Sequence, residues 1–193
     1  IGDSTAVEPL IGVTNHSRWQ VRDQAVGALG KIGDPRAKDA VMLALNDPVE
    51  QVRKAAVVSC GKLTIERSIP YLIHALGDRF YGTRLSAVEA LLKMDTAKVI
   101  AALSDSIYSE NDLVGDLCCS LLGEIGSDVA IDLLMIQTDS PDPDRRAHAA
   151  MAIIKADPED NCGYHQVLLE KETDPLNRVK IESALRAKHH ARQ

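Results

Sequence analysis

The chain has 193 residues, of which 45% are hydrophobic, 26% are charged and only 3% are aromatic. This composition predicts a soluble globular chain with a substantial core, and it excludes a disordered chain and a membrane-spanning one. The scarcity of aromatic residues favours packed helices over a β-sandwich or barrel. The net charge of -6 at pH 7 argues against nucleic acid as the main ligand, because phosphate binding depends on clustered Lys and Arg.

The four cysteines do not form a disulfide pattern. Cys118 and Cys119 are adjacent within a helical pattern, and Cys60 and Cys162 stand far from them. We therefore expect free buried thiols in a reducing compartment, which favours the cytoplasm. The sequence has no signal peptide and no initiator Met, so we expect a fragment or a processed chain.

The sequence repeats with a period of 31 residues. The segment IGDSTAVEPLIGVTNHSRWQVR from Ile1 aligns without a gap with IGDPRAKDAVMLALNDPVEQVR from Ile32. Three columns recur at this spacing. Small residues stand at Ala25, Ala56, Ala87, Cys118 and Ala149. Mostly apolar residues stand at Val21, Val52, Thr83 and Val114. Basic residues stand at Arg22, Arg53, Arg84 and Arg146, with a gap at Gly115.

Each period predicts two helices. The first, helix B, is exemplified by residues 34–45, where Asp34 is a candidate N-cap, Pro35 takes the first helical position, and apolar residues follow at steps of three and four. The second, helix A, is exemplified by residues 49–63, whose apolar residues form one stripe. Five of the eight prolines follow an Asp, and we interpret these Asp-Pro pairs as helix starts.

Short loops make neighbouring helices antiparallel, and each hairpin has apolar residues on more than one side, so the next hairpin must cover it. This predicts one solenoid domain over residues 1–193, with repeats at about 17–47, 48–78, 79–109, 110–140 and 141–172 and half repeats at 1–16 and 173–193. In the last half repeat, Asp174 aligns with Asp47 if three residues are inserted, which puts Lys180 in the basic column. The chain would begin with an unpartnered helix B at Ile1 and end with an unpartnered helix A near Lys188, so we expect further repeats or domains of the same parent chain.

Two motifs resemble a known family. The pattern D-P-x-A-x-x-A-L/V-x-x-A-L occurs at residues 34–45, and V-R-x-A-A/S-x-x-x-L/C-G occurs at residues 52–61. These motifs are similar to the HEAT-like repeats of the phycobilisome-lyase type. The resemblance implies an all-α fold, a right-handed α-α superhelix of about twelve antiparallel helices. It also implies an Asp six residues before each basic-column residue, which this chain has in Asp47 with Arg53, Asp78 with Arg84, and Asp174 with Lys180.

We interpret these acid–base pairs as a structural ladder that stacks the repeats. The guanidinium fork would satisfy the preceding Asp and the helix-end carbonyls of the next repeat. As exposed ion pairs they would contribute only about 0.2 to 1 kcal/mol each. Ser109 and Gly115 lack both members, so we expect the ladder to be interrupted there.

Catalytic and cofactor motifs are scarce. The related deoxyhypusine hydroxylases bind iron through His-Glu pairs, and this sequence contains no His-Glu dipeptide. Cys162 and His165 have the spacing of half a metal site, but no second pair lies nearby in sequence. His148 has no nucleophile at a fixed offset, which favours a tolerated interior or groove histidine over a general base. We therefore predict no catalytic residue, no metal and no cofactor.

The remaining candidate is a protein-binding surface. B helices of such solenoids are expected to line the concave side. Two columns vary between repeats there, which indicates either ligand contact or plain solvent exposure. From them we predict a protein or peptide contact by Arg36, Leu43, Arg67, His74, Lys98, Asp105 and Ile136, with Leu43 and Ile136 as an apolar anchor pair. The predicted function is a non-catalytic scaffold without nucleic-acid or membrane partners. A bilin lyase-like subunit is the alternative, and a DNA-repair solenoid is a third idea that lacks an evident basic groove.

Overall fold

The computed structural model describes residues 4–109, 111–157, 159–160 and 163–190, and of residues 188–190 only the helical backbone. All regular structure in these residues is helical, which confirms the predicted all-α class. The helices are α1 Val7–Val13, α2 Trp19–Ile32, α3 Lys38–Leu43, α4 Glu50–Lys62, α5 Ile69–Ala75, α6 Tyr81–Leu91, α7 Thr96–Ser106, α8 Asp112–Ile125, α9 Asp128–Gln137, α10 Pro143–Ala156, α11 Tyr164–Lys171 and α12 Pro175–His190.

The even-numbered helices are the predicted A helices, and the odd-numbered ones are the B helices. Except for α7, which has the same length as α6, the B helices are shorter than the A helices, and tight 3₁₀ turns flank α3 at Pro35–Ala37 and Ala44–Asn46. Asp34 caps the first of these turns, since its Oδ1 accepts a hydrogen bond from the backbone N–H of Arg36 at 2.9 Å. This confirms Asp34-Pro35 as a helix start. Ile1, where the first helix B was expected to begin, lies outside the described residues.

The chain divides into two compact units, Ile1–Ala102 and Leu103–Gln193, and the division falls within α7. In the first unit the A helices α2, α4 and α6 pack in sequence, and the B helices α1, α3 and α5 each pack against the A helix that follows. In the second unit α8, α10 and α12 pack in sequence, with α9 against α8 and α10 and α11 against α12. Consecutive packing of helical hairpins confirms the predicted HEAT-like solenoid class. The single domain and the repeat limits stay predictions.

Small residues let consecutive A helices approach closely. A Cβ added at Gly30 would lie 2.2 Å from Ser59 Oγ, and one at Gly61 would lie 3.0 Å from Ala90 Cα. In the second unit a Cβ at Gly123 would lie 2.9 Å from the carbonyl oxygen of Ala152. These glycines share one position of the 31-residue period, so the period sets the helix contacts as well as the helix boundaries. None of the described helices combines the length and apolar character that a membrane span requires.

The last hairpin differs from its predicted alignment. Glu172 Oε1 accepts a hydrogen bond from the backbone N–H of Asp174, two residues further on, just as Asp47 Oδ1 accepts one from Val49. Glu172, not Asp174, therefore takes the position of Asp47. Asp174 instead caps α12 by accepting from the backbone N–H groups of Leu176 and Asn177. One inserted residue therefore replaces the predicted three, and Arg178 takes the position predicted for Lys180. The Asp-Pro pairs at 47 and 174 look alike in sequence but stand at different distances from their helices.

Candidate functional site

The basic column forms a ladder along the loops that connect each helix B to the next helix A. Arg22 donates through Nε and Nη2 to the Asp47 carboxylate at 2.7 and 2.8 Å, and Arg53 donates to Asp78 at 2.8 and 3.2 Å. The Nη1 group of Arg53 donates to the carbonyl oxygens of Asp47 and Pro48 at 3.0 and 3.2 Å. Each arginine therefore joins the loop before its own helix to the acid of the next repeat.

This pairing corrects the sequence prediction. Asp47 was expected to give its carboxylate to Arg53, but it gives Arg53 only its carbonyl oxygen and gives the carboxylate to Arg22. The reason is local: Asp47 Oδ1 also accepts from the Val49 backbone N–H at 2.9 Å, which turns the carboxylate away from its own helix. Likewise, Arg84 binds the carbonyl oxygen of Asp78 at 2.9 Å, not its carboxylate.

The ladder pairs are largely buried, so the expectation of exposed ion pairs is wrong. The side chains of Arg53 and Asp78 are 17% and 10% exposed. Burial alone would raise the pKa of Asp78, but hydrogen bonds from Arg53 and from the Phe80 backbone outweigh it, and its pKa lies below the usual value. The same balance, with Arg22 and Val49 as donors, lowers the pKa of Asp47.

Two ladder contacts were not predicted. At the gap left by Gly115, Arg145 of α10 donates a hydrogen bond to the carbonyl oxygen of Ser109 at 3.0 Å. Ser109 stands six residues before Gly115, as Asp47 stands six residues before Arg53. An arginine of the following helix thus makes the carbonyl contact that Gly115 cannot make. Arg146 donates to Glu172 at 2.9 Å, and hydrogen bonds from Arg146 and from backbone N–H groups lower the pKa of Glu172 against the opposing effect of burial.

Three predicted contact residues on the B side form ion pairs with the preceding repeat. Arg36 pairs with Glu8 at 3.3 Å and also with Asp34. Arg67 pairs with Asp39, and Lys98 pairs with Glu66. About half of each basic side chain remains exposed. These residues are accessible, but they also link successive repeats.

The first unit contains two equivalent pockets, at positions one period apart. We call these edge pocket 1 and edge pocket 2, of about 320 and 250 Å³, and both lie beside the ladder. Edge pocket 1 includes Thr14, Asn15, Arg22, Ala40, Leu43, Ala44 and Asp47. Edge pocket 2 includes the residues 31 positions later, Leu45, Asn46, Arg53, Tyr71, His74, Ala75 and Asp78, together with Val57 and Thr83. The predicted contact residues Leu43 and His74 therefore hold the same place in two successive pockets.

Two more predicted contact residues, at the same position of the 31-residue period as Leu43 and His74, lie in the second unit. Ile136 on α9 is 56% exposed, close to the 71% of Leu43 on α3, and Asp105 on α7 is also exposed. The structure brings Leu43 and His74 into one repeated pocket series. Asp105 and Ile136 belong to the other unit.

Thr83 is the exception in the apolar column. It is 1% exposed and lines edge pocket 2, and its Oγ1 is buried without a hydrogen-bond partner among the described residues. The other members of the column, Val21, Val52 and Val114, have no hydroxyl. A buried hydroxyl without a partner costs free energy, about 1 to 3 kcal/mol, that a valine would not cost.

A further pocket lies between A helices of the second unit. It has a volume of about 300 Å³ and is lined by Asp116, Ser120, His148, Met151, Ala152, Ile154, Lys155 and Ala184. His148 Nδ1 lies 2.9 Å from Asp116 Oδ1. Burial raises the pKa of Asp116, and the neighbouring His148 ring counteracts this in part. The structure thus places His148 in a groove, one of the two predicted settings, and adds an acidic neighbour that the sequence did not indicate.

The described cysteines are buried within the core. Burial raises the pKa of Cys60 to about 11 and that of Cys118 and Cys119 to about 12, so all three remain protonated at neutral pH. Cys162 lies outside the described residues, and His165 Nε2 lies 3.0 Å from the carbonyl oxygen of Asp157. Among the described residues, no cluster of three His, Cys, Asp or Glu side chains is arranged to hold a metal.

Comparison with known proteins identifies the repeat type. A family model for HEAT repeats matches residues 1–61, 39–116 and 69–154. The complex of CpcE and CpcF of phycocyanin lyase from Nostoc sp. PCC7120 is 23% identical over 93% of this chain and 76% of that chain, with a TM-score of 0.53. These two matches confirm the predicted resemblance. No curated protein sequence matches the chain.

Two further solved structures are similar over most of the chain. Human deoxyhypusine hydroxylase in complex with glycerol is 20% identical over 97% of this chain and 75% of that chain, with a TM-score of 0.47. An engineered protein is 16% identical over 95% of this chain and 96% of that chain, with a TM-score of 0.45. At such identities these likenesses concern the fold alone.

Proposed function

Since the chain belongs to the HEAT-repeat family, we propose that it is a non-catalytic scaffold that binds a protein or peptide through its B helices. The observation that supports this most is the exposure of Leu43 and Ile136, two large apolar side chains at the same position of their hairpins and outside the core. Apolar anchors in such positions are typical of binding surfaces. The proposed contact residues are Arg36, Leu43, Arg67, His74, Lys98, Asp105 and Ile136.

A capture experiment with the intact parent protein tests this proposal. Leu43→Glu and Ile136→Glu are compared with Leu85→Glu, which places the same charge on an exposed leucine of the A helix α6. Loss of one specific partner, at least tenfold, from the first two variants but not from the third supports the B-helix face. Equal capture by all three variants contradicts it, provided that circular dichroism finds all three folded.

A bilin lyase-like subunit is the second candidate function, and the repeat motifs at 34–45 and 52–61 favour it. The similar CpcE–CpcF structure belongs to phycocyanin lyase. Each edge pocket is at or below the lower end of the volume that a drug-sized ligand needs, about 300 Å³, so a whole tetrapyrrole would have to extend beyond either one. A sharpened, red-shifted absorbance band on addition of a bilin would favour this candidate, and an unchanged spectrum would count against it.

We also propose that α12 packs against a further repeat or domain of the parent chain. Leu176 and Val179 are 75% and 63% exposed, and they stand three residues apart on one face of this helix. Hydrogen exchange of α12 in the parent protein tests this: the backbone amides of α12 are expected to exchange as slowly as those of the buried helix α10, and exchange as fast as that of a fraying terminal helix would contradict the packing.

The buried thiols Cys60, Cys118 and Cys119 support a reducing compartment such as the cytoplasm.

A further inference from the structure

We propose that the guanidinium group of Arg84 binds an Asp or Glu carboxylate from an acidic segment of a partner protein. The site consists of Arg84 and Tyr81 at the start of α6 and of Arg79 in the loop before it. None of these three residues belongs to the proposed B-helix contact set. The inference therefore goes beyond the proposed function and does not rest on it.

The four arginines of the basic column hold their side chains in the same way. The Nη1 group of each donates to the backbone carbonyl oxygens of the residues six and five positions before it: Arg22, Arg53, Arg84 and Arg146. For Arg84 the two distances are 2.9 and 3.3 Å. Residues of its own unit therefore hold the guanidinium group of Arg84 in place.

The other edge of the guanidinium group distinguishes Arg84 from the rest of the column. The Nε and Nη2 groups of Arg22, Arg53 and Arg146 donate to a carboxylate. The same two groups of Arg84 donate to no acceptor within the described part of the chain. In the sequence, the position 25 residues after Arg84 is Ser109, which has no carboxylate. Arg84 thus has the donors of a ladder arginine without the acid.

These two N–H groups are accessible to another molecule. Arg84 is partly exposed. Thr83 Oγ1 is the one buried side-chain polar atom without a hydrogen-bond partner in the described ranges, so Nε and Nη2 of Arg84 retain accessible surface. Because the Nη1 contacts already order the side chain, binding through Nε and Nη2 costs little further conformational entropy.

The geometry of the guanidinium edge selects a carboxylate. Two parallel N–H groups match the two oxygens of a carboxylate, as in the pairing of Arg22 with Asp47 at 2.7 and 2.8 Å. The equivalent edges of three other arginines in this chain bind Asp or Glu. The ligand expected at Arg84 is therefore the same group, supplied by another molecule.

Tyr81 and Arg79 indicate a protein segment and not a free carboxylate. The Cζ atom of Arg84 lies 5.5 Å from the ring centroid of Tyr81, which is 69% exposed. Arg79 is exposed and forms no ion pair with any described residue. A single ion pair near the surface contributes little, so a free carboxylate would bind weakly. A protein segment can add an apolar contact with Tyr81 and a second acid for Arg79.

The charge of the first unit also favours an acidic partner. Residues 1–102 contain 13 Lys and Arg against 11 Asp and Glu, whereas residues 103–193 contain 9 against 17. An acidic segment is therefore attracted to the first unit, while the second unit repels it. This agrees with a carboxylate site at the start of α6, which lies in the first unit.

NMR titration of the full chain, read on the arginine Nε–H signals, tests this inference. The probe is the acetylated and amidated peptide Gly-Leu-Glu-Glu-Leu-Gly, and the control peptide has Gln in place of both Glu residues. We expect the Glu peptide to shift the Arg84 signal and to bind about fivefold more tightly than the Gln peptide. The signals of Arg22 and Arg53, which already bind Asp47 and Asp78, should not move.

Three results would overturn the inference: an Arg84 signal that does not move, equal shifts of Arg22, Arg53 and Arg84, or equal affinity of the two peptides. Inorganic phosphate is titrated in parallel. If phosphate shifts the Arg84 signal at a lower concentration than the Glu peptide does, the group binds phosphate and the assignment of a carboxylate is wrong.

Two substitutions separate the guanidinium geometry from positive charge. Arg84→Lys keeps the charge but removes the paired N–H groups, and it should weaken binding of the Glu peptide about fivefold. Arg79→Lys is the matched control and should change the affinity less than about twofold. Equal effects of the two substitutions would contradict the role of Arg84.

A third variant covers the case in which Arg84→Lys unfolds the chain, since that substitution also removes the Nη1 contacts. Tyr81→Ala leaves Arg84 intact, so the Glu peptide should still shift the Arg84 signal but bind more weakly. Unchanged affinity of this variant would contradict the apolar contact with Tyr81. The B-helix face is tested separately by Leu43→Glu and Ile136→Glu, so either proposal can fail while the other stands.

Discussion

The arginine ladder predicts a large difference between two Arg→Met substitutions in the same unit. Arg53→Met removes two hydrogen bonds to the Asp78 carboxylate and two to backbone carbonyls, and it leaves that carboxylate 10% exposed without its cation. Breaking a buried ion pair costs about 3 to 5 kcal/mol. Because these side chains retain some exposure and Asp78 keeps its hydrogen bond from Phe80, we expect a loss of about 2 to 3 kcal/mol.

Arg67→Met is the matched control. Arg67 pairs with Asp39, but the two side chains are 58% and 81% exposed, so its loss should cost less than about 1 kcal/mol. Both variants are compared with the natural chain by urea unfolding. Fluorescence of Trp19, the only tryptophan, reports on the first unit, where both substitutions lie.

A double variant sharpens the test. Asp78→Asn in the Arg53→Met background removes the uncompensated charge and should restore part of the lost free energy of unfolding. If Arg53→Met costs no more than Arg67→Met, the ladder contributes only as a surface ion pair does, and the reasoning from burial is wrong.

Three further predictions concern helix contacts, thiols and acid. Gly123→Ala should lower the free energy of unfolding by about 1 to 3 kcal/mol, because its Cβ would lie 2.9 Å from a backbone oxygen. Gly27→Ala, with open space around it, should raise the free energy of unfolding by up to about 1 kcal/mol. Thermal melts compare the two variants. The buried thiols of Cys60, Cys118 and Cys119 should react with Ellman's reagent only on unfolding, and peptide mapping identifies which thiols have reacted. Rapid reaction of these thiols in the native chain would contradict their burial. The ladder acids Asp47, Asp78 and Glu172 have lowered pKa values in the folded chain. They therefore stabilise the fold fully above their unfolded-state pKa of about 4, and this stabilisation is lost as the pH falls through their folded-state pKa. Urea unfolding between about pH 5 and pH 3 should therefore find a steeper loss for the natural chain than for Asp78→Asn.

The sequence predicted the helix layout well because periodicity and caps are local properties. Helix A was expected over 49–63 and α4 spans Glu50–Lys62. Helix B was expected as one helix over 34–45, but the chain forms a 3₁₀ turn, α3 and a second 3₁₀ turn there. Short helices often tighten at their ends to satisfy terminal backbone groups, and a pattern of apolar spacing does not register this.

The site was less predictable, because a column of aligned residues gives a position within the hairpin and not the neighbour that a side chain reaches. Asp47 was in the right column, but its partner lies in the previous repeat. Arg145 stands one residue before the basic column and still replaces a missing contact. Leu43 and His74 were predicted as contact residues from their column, but their place in the two pockets, like that of Thr83, depends on the residues that surround them.

The ladder also restricts how the length of this chain can change. Each of the first two links joins an arginine to an acid 25 residues further on, and the chain between them forms the rest of one A helix and the B helix that follows it. Removal of residues 47–77, one whole period, would bring Asp78 to the distance that Asp47 now has from Arg22, and an equivalent link could form without any new residue. Removal of a few residues more or fewer would leave both partners unmatched. Gain or loss of complete 31-residue modules is therefore the form of size variation that this architecture tolerates best.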